Sequence, residues 1–205
     1  MGNVSGAIRL AVDPIEAEHD LSGLLAAAAK GDQQAWNEIV RLYGRRVFAL
    51  VRSRVHRVDL AEELTQSVFV TVATKLADGG YTDRGRFEAW LFRVAVNRIR
   101  DEIRRLRRHA EPTDPEQFGA LPAPAATSAA TEQELSALRT AMANLGEADR
   151  EIVELRHHAG LPFATISEML EEPIGTLLAR HHRALRKLKD LISSQTTAGR
   201  AARGA

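Results

Sequence analysis

From Leu21 to about His109 the apolar residues recur at intervals of three and four, the period of helices with one buried face. A first helix spans about Leu21 to Lys30 and stops at Gly31-Asp32. A second runs from Gln33 into the fifties with Trp36, Ile39, Val40, Tyr43, Val47, Leu50 and Val51 on one face. The next opens at Asp59, with Glu62 three residues on, the spacing of a capping box with Asp as the cap. Its predicted stripe is Leu60, Ala61, Leu64, Val68, Val72 and Leu76. Beyond the cluster of Gly79, Gly80 and Gly85, a fourth helix carries Phe87, Trp90, Leu91 and Val94 inward.

The helical period lapses and then returns. Residues 110–131 hold four prolines and many small residues, with little to bury, which predicts a flexible linker. After it, Leu135, Leu138, Met142 and Leu145 mark a short helix. The segment ADREIVELRHHAG places Ile152, Val153 and Leu155 inward, with Gly160 as its stop. LPFATISEML follows, then a turn at Glu171-Glu172-Pro173. The final helix, IGTLLARHHRALRKLKDLI, has Ile174, Leu177, Leu178, Leu185, Leu188 and Ile192 as its apolar residues. The pattern predicts an all-α chain of two small helical domains, residues 21–109 and 132–192. A flexible extension over 1–20, the linker over 110–131 and a tail over 193–205 complete the expected organisation.

The net charge of +1 says nothing about nucleic acid, but its distribution does. Nine arginines fall between Arg84 and Arg108, no lysine or arginine falls between His109 and Leu138, and five basic residues without an acid lie between Arg180 and Lys189. Basic blocks on helices are candidate phosphate-binding footprints, or else solvated faces. The chain has no cysteine, so disulfides and thiolate metal sites are excluded. No apolar run is long enough for a membrane span, and Asp13, Glu16, Glu18 and Asp20 do not suit a signal peptide. A cytoplasmic protein without membrane insertion is expected. The sequence offers no nucleophile–base pair, no phosphate-cradling glycine loop and no metal cluster, so neither an enzyme nor a cofactor is expected. His157-His158 and His181-His182 are each adjacent pairs, which diverge by about 100° on a helix and do not chelate.

Three patterns carry candidate chemistry. Asp59, Glu62, Glu63 and Gln66 lie opposite the third helix's apolar stripe, either as a solvated helix start or as an acidic docking face. Aromatic Phe87 and Trp90 precede a run of arginines, a mixture that suits melted DNA, although an aromatic pair at this spacing also suits a core. The final two helices have the spacing of a helix-turn-helix, with Thr176, Arg180, Arg183 and Lys187 falling on one face.

With these residues in view, DLAEELTQSVFVTVATKL followed by FEAWLFRVAVNRIRDEIRRLRR resembles sigma region 2. LGEADREIVELRHHAGLPFATISEMLEEPIGTLLARHHRALRKLK resembles sigma region 4. Their order, with no region 3 domain between them, is similar to the extracytoplasmic-function RNA polymerase sigma factors over residues 21–192. The resemblance implies a region 2 bundle and a region 4 helix-turn-helix, working in transcription initiation with core RNA polymerase and promoter DNA. It implies polymerase docking through Asp59, Glu62, Glu63, Gln66 and Phe69. It implies capture of a flipped −10 base at Asn97, with Arg98, Arg100, Arg104 and Arg105 guiding the strand. Thr176, Arg180, Arg183 and Lys187 would read the −35 element in the major groove. The linker would thread through the polymerase toward the RNA exit path. An anti-sigma partner belongs to the family's habits, and the free chain is expected to be a monomer. The alternative is a conventional helix-turn-helix regulator whose first half is a sensor or dimerisation domain. Glu171 departs from the family's glycine in the helix-turn-helix turn, at a cost of about 1 kcal/mol if its φ is positive. Leu178-Ala179 replaces a lysine-serine pair, and His181 stands where an apolar residue packs. These departures predict weakened −35 contacts.

Overall fold

The computed structural model describes residues 14–55, 57–109 and 132–201, and every regular element among them is an α-helix. The expected linker over 110–131 and residues 1–13 lie outside the described residues. Four helices form the first unit: α1 (Pro14–Ala29), α2 (Gln33–Arg54), α3 (Val58–Ala77) and α4 (Phe87–His109). Four form the second: α5 (Glu132–Ala143), α6 (Glu147–His157), α7 (Phe163–Leu170) and α8 (Ile174–Ala201).

Helix α1 begins seven residues before the expected Leu21, at Pro14. Proline suits the first helical position, where no amide donor is needed. Helix α2 starts where predicted, because the Asp32 carboxylate accepts from the amides of Gln34 and Ala35 at 2.8 and 3.1 Å. The capping box expected at Asp59 does not form. Helix α3 starts at Val58 with Arg57 as its cap, and no side chain caps it. Asp59 is therefore inside the first turn, and it pairs with Arg57 at 2.5 Å. The α3–α4 connection is tied to α1 through Asp83, which accepts from Ser22 Oγ at 2.6 Å, Tyr81 OH at 3.0 Å and the Gly85 amide at 3.0 Å.

The core of the first unit is aromatic as well as aliphatic. Phe87 and Phe92 are fully buried beside Ile39, Val47, Leu50 and Leu91. Tyr43 meets Phe87 edge-on at 5.5 Å, and half-buried Trp90 stacks on Tyr81 at 4.3 Å. The predicted stripe of α3 is buried throughout. The second unit packs smaller aliphatics: Ala141, Leu145, Ile152, Leu155, Leu161, Ile166, Leu177, Ala184 and Leu188. Several residues assigned to apolar faces point outward instead, namely Val40, Leu138, Ile174, Leu178 and Leu185. On α8 the packing line is Leu177, Ala184 and Leu188, so Ile174, Leu178 and Leu185 fall on the neighbouring solvent-facing stripe. Helix α8 also continues past Ile192 to Ala201, since no proline interrupts Ser193 to Ala201.

Candidate nucleic-acid interface

The inward stripe of α3 forces Asp59, Glu62, Glu63 and Gln66 to solvent, and all four are exposed. The Arg57 guanidinium hydrogen-bonded to Asp59 holds that carboxyl below the usual carboxylate range. Phe69, expected beside this face, is 7 % exposed and meets Trp36 edge-on at 6.1 Å. It belongs to the core, next to Val68 and Val72, and lies off the exposed acidic face. The outward position is taken by Val70, which is 66 % exposed and four residues beyond Gln66. The sequence carried a signal for it, a branched apolar residue in line with Glu63 and Gln66, that the buried-stripe reading passed over.

Helix α4 buries Ala95, Val96 and Ile99 and so turns Asn97, Arg98, Arg100, Arg104 and Arg105 outward. Among the described residues the Asn97 side chain has no hydrogen-bond partner. Arg98 donates to Thr71 Oγ1 at 2.9 Å, which leans it toward α3. Arg104 and Arg105 pair with Asp101 and Glu102 one turn back, at 3.2 and 2.6 Å. Arg100 is engaged differently. It donates to both carboxylate oxygens of Glu151, on α6 of the other unit, at 2.7 and 2.9 Å.

That contact is one of a set. Arg54, 8 % exposed, pairs with Glu147 at 2.5 Å and with Glu154. Burial pushes the Glu154 carboxyl up to about 7, against the pull of Arg54. Arg93 donates to the Met169 carbonyl at 2.6 Å and the Glu168 carbonyl at 3.1 Å, satisfying acceptors that the end of α7 leaves open. Arg46 donates to the Ala159 carbonyl at 2.6 Å and pairs with Glu88 at 2.5 Å. Arginines thus make most of the hydrogen bonds between the two units, beside an apolar seam where Leu50, Val96 and Ile99 meet Leu155.

Helices α7 and α8 form the expected helix-turn-helix. Glu171 has φ 58° and ψ 35°, the left-handed conformation that favours glycine. Ser167 supports the turn by donating to the Glu172 carbonyl at 2.6 Å. Pro173 ends the turn just before α8, and its carbonyl accepts from the Thr176 amide at 3.0 Å. Of the predicted reading face, Thr176, Arg183 and Lys187 are exposed. Arg180 is half-buried and is held by both oxygens of Glu172, at 2.9 and 2.6 Å.

Two helical units, each ending in a basic helix with an exposed polar face, are matched by family models in the same order. Sigma-70 region 2 matches residues 39–109, and Sigma-70 region 4 matches residues 141–190. The chain is 30% identical to ECF RNA polymerase sigma factor SigE of Mycolicibacterium smegmatis over 90% of this chain and 73% of the relative. The chain belongs to the extracytoplasmic-function sigma factors. It is also 30% identical to SigW of Bacillus subtilis, over 79% of this chain and 93% of that one. Among solved structures, CnrH in complex with the cytosolic domain of CnrY superposes with a TM-score of 0.62 at 25% identity, over 83% of this chain and 96% of CnrH. The fold is shared with the sigma factor RpoE of Bartonella quintana, solved with the anti-sigma factor NepR (TM-score 0.56, 21% identity, 77% of this chain and 96% of that one). Sigma factors direct transcription initiation and are not enzymes. The region 2 match falls where the conventional regulator was expected to carry its sensor or dimerisation half. No helix among the described residues is long and apolar enough to cross a membrane.

Proposed function

We propose that this sigma factor docks on core RNA polymerase through the acidic face of α3 and opens and reads promoters with α4 and α8. Asp59, Glu62, Glu63 and Gln66, with Val70 at the end of their line, give docking an acidic rim and an apolar contact. Asn97 takes the flipped −10 base, and Arg98, Arg100, Arg104 and Arg105 hold the strand. Thr176, Arg180, Arg183 and Lys187 address the −35 duplex. The observation that carries the reading is the solvent-facing Asn97 on a helix whose other side is locked into the core by Ala95, Val96 and Ile99. A base pocket needs a rigid backing, because extruding a base costs a few kcal/mol that only a preformed site returns.

The closed arrangement gates this function. Elements centred about 25 base pairs apart lie roughly 85 Å apart along duplex at ~3.4 Å per pair. Helices that touch through Arg93 and Arg100 do not reach both at once. Reading a promoter therefore requires the two units to part, and residues 110–131 can reach roughly 75 Å when extended. Arg100 then exchanges Glu151 for phosphate. The protein works in the cytoplasm, and an anti-sigma partner, as NepR is for the Bartonella quintana RpoE, belongs to the same proposal.

Run-off transcription with purified chain, core polymerase and pooled promoter fragments tests the reading. Transcripts that require the chain, and that vanish on charge reversal at Glu62 and Glu63, are expected. A charge-reversed chain that still associates with core would remove α3 as the docking face. For Asn97→Ala the expectation is a greater loss of open complexes than of closed ones, and equal losses would reduce Asn97 to a structural role.

A further inference from the structure

The two adjacent histidine pairs do not chelate, but one member of each meets the other across the helix-turn-helix. His157 ends α6 and His181 lies two turns into α8, and their Nε2 atoms are 3.0 Å apart. The ring centres are 5.2 Å apart and the ring planes differ by 20°. The gap between those two distances is the combined reach of the rings from centre to nitrogen. The nitrogens therefore face head to head, with the rings close to one plane. That is the geometry of an N–H···N hydrogen bond, in which one ring donates and the other's lone pair accepts. It is not the geometry of a shared metal: an ion about 2.0–2.1 Å from both nitrogens would sit well off the line joining them, away from in-plane lone pairs that point at each other.

The surroundings bear on the proton count. His181 abuts Phe163 edge-on at 5.2 Å, and the Arg156 guanidinium lies over the same ring at 5.4 Å. The charges that act on His181 come from His157 and Arg156 of α6 and from His182 on its own helix. Helix α7 presents the Phe163 ring here, and His158 adjoins His157 on α6. Among these groups there is no carboxylate to accommodate a second positive charge.

We propose that His157 and His181 form a proton-sensitive clasp that seats the recognition helix α8 on α6, closed while the facing nitrogens share one proton and broken when both rings are protonated. Two N–H groups aimed at each other leave both donors unbonded and two cations in contact. Burial, together with the charges of His157, Arg156 and His182, holds His181 below the ordinary histidine range. The folded chain therefore binds fewer protons than the unfolded chain near that range. Stability is complete above about pH 6.5 and is lost as the pH falls below it. Acidification loosens α8, and this weakens −35 reading. That last consequence rests on the proposed role of α8, whereas the clasp itself does not.

The test is thermal unfolding of the full chain and of His157→Gln at about pH 7.5 and about pH 5.5, on either side of the histidine range. A glutamine amide can donate or accept, so it pairs with His181 in either charge state. Comparison with this variant cancels the titration of other groups. The wild type is expected to lose several degrees more than His157→Gln on acidification. His181→Leu, which packs an apolar side chain beside Phe163, is expected to show the same shallow profile as His157→Gln. Parallel profiles in wild type and both variants would overturn the clasp. Duplex binding is measured alongside with promoter fragments. A chain that shows the melting difference but binds no duplex keeps the clasp and removes the −35 reading.

Discussion

The two basic helices hold their arginines in different ways. On α4, Arg100 is engaged by Glu151 from the other unit, so its availability depends on how the units sit together. On α8, Arg180 is engaged by Glu172 of its own helix-turn-helix, so its availability is the same whether the units touch or part. Arg100 is thus held across the units, whereas Arg180 is held within its own. The difference also marks what the contact between the units is made of. The ion pairs of Arg54 and Arg100 lie beside apolar Leu50, Val96, Ile99 and Leu155, so the contact combines charge pairing with packing.

The largest break in this comparison comes from Arg54→Leu. Glu154 is 1 % exposed, and removing its guanidinium leaves a buried carboxyl unpaired in the closed form only. Losing one partner of a buried pair costs about 3–5 kcal/mol, which shifts the balance toward the open form by a hundredfold or more. The chain has no cysteine, so two introduced thiols allow a clean distance measurement between α3 and α8. A long distance in the variant and a short one in the wild type is expected. An unchanged distance would mean that Arg54 and Glu154 do not hold the units.

Protons sharpen the same point. Burial raises Glu154 to about 7 in the closed form, while an exposed glutamate titrates at about 4.3. The closed form therefore binds more protons between those values, and closure strengthens as pH falls through 7. Between about pH 7.5 and about pH 6 the closed-to-open ratio is expected to rise about tenfold. The same pair of labels reads it, and Glu154→Gln is expected to remove the dependence. The sign is opposite to that of the histidine clasp, which acts within region 4 and not between the units.

Most helices were legible from periodicity alone, because strong apolar stripes such as Leu60 to Leu76 have one physical solution. The exceptions are instructive. Phe69 and Val70 are adjacent apolar residues: Phe69 turns inward beside Val68 and Val72 and meets Trp36, while Val70 falls in line with exposed Glu63 and Gln66. Ile174, Leu178 and Leu185 belong to the apolar set of α8 yet stay exposed, because its packing runs along the line through Leu177, Ala184 and Leu188. Asp59 looked like a cap because its spacing to Glu62 is right, yet Arg57 starts the helix and then takes the carboxylate. The contact between Arg100 and Glu151 spans the linker, and the meeting of His157 with His181 spans 24 residues. No local pattern announces such pairs.

Glu171→Gly isolates strain at the turn. Glu171 is the one non-glycine residue at positive φ among the described residues, and glycine there removes a penalty of about 1 kcal/mol. Its exposed pair with Arg93, at 3.2 Å, returns little when lost. A small rise in the melting temperature of region 4 is expected, with no change in the distance between the units. A fall would mean that the Arg93 contact outweighs the backbone strain.

The smallest effect tests the local half of the comparison. Glu172 holds Arg180 through two hydrogen bonds, with side-chain exposures of 32 % and 21 %. Phosphate or guanine must compete with that carboxylate for the same donors. Glu172→Gln keeps the size and the carbonyl of the side chain and removes its charge, so Arg180 is released without altering the turn. Binding to a −35 duplex is expected to strengthen severalfold, with a salt dependence steeper by one cation. The gain should be equal in the wild type and in the Arg54→Leu background, because the restraint lies within region 4. A gain confined to the opened background would tie Arg180 to the gate between the units, and the two helices would then be controlled by one device instead of two.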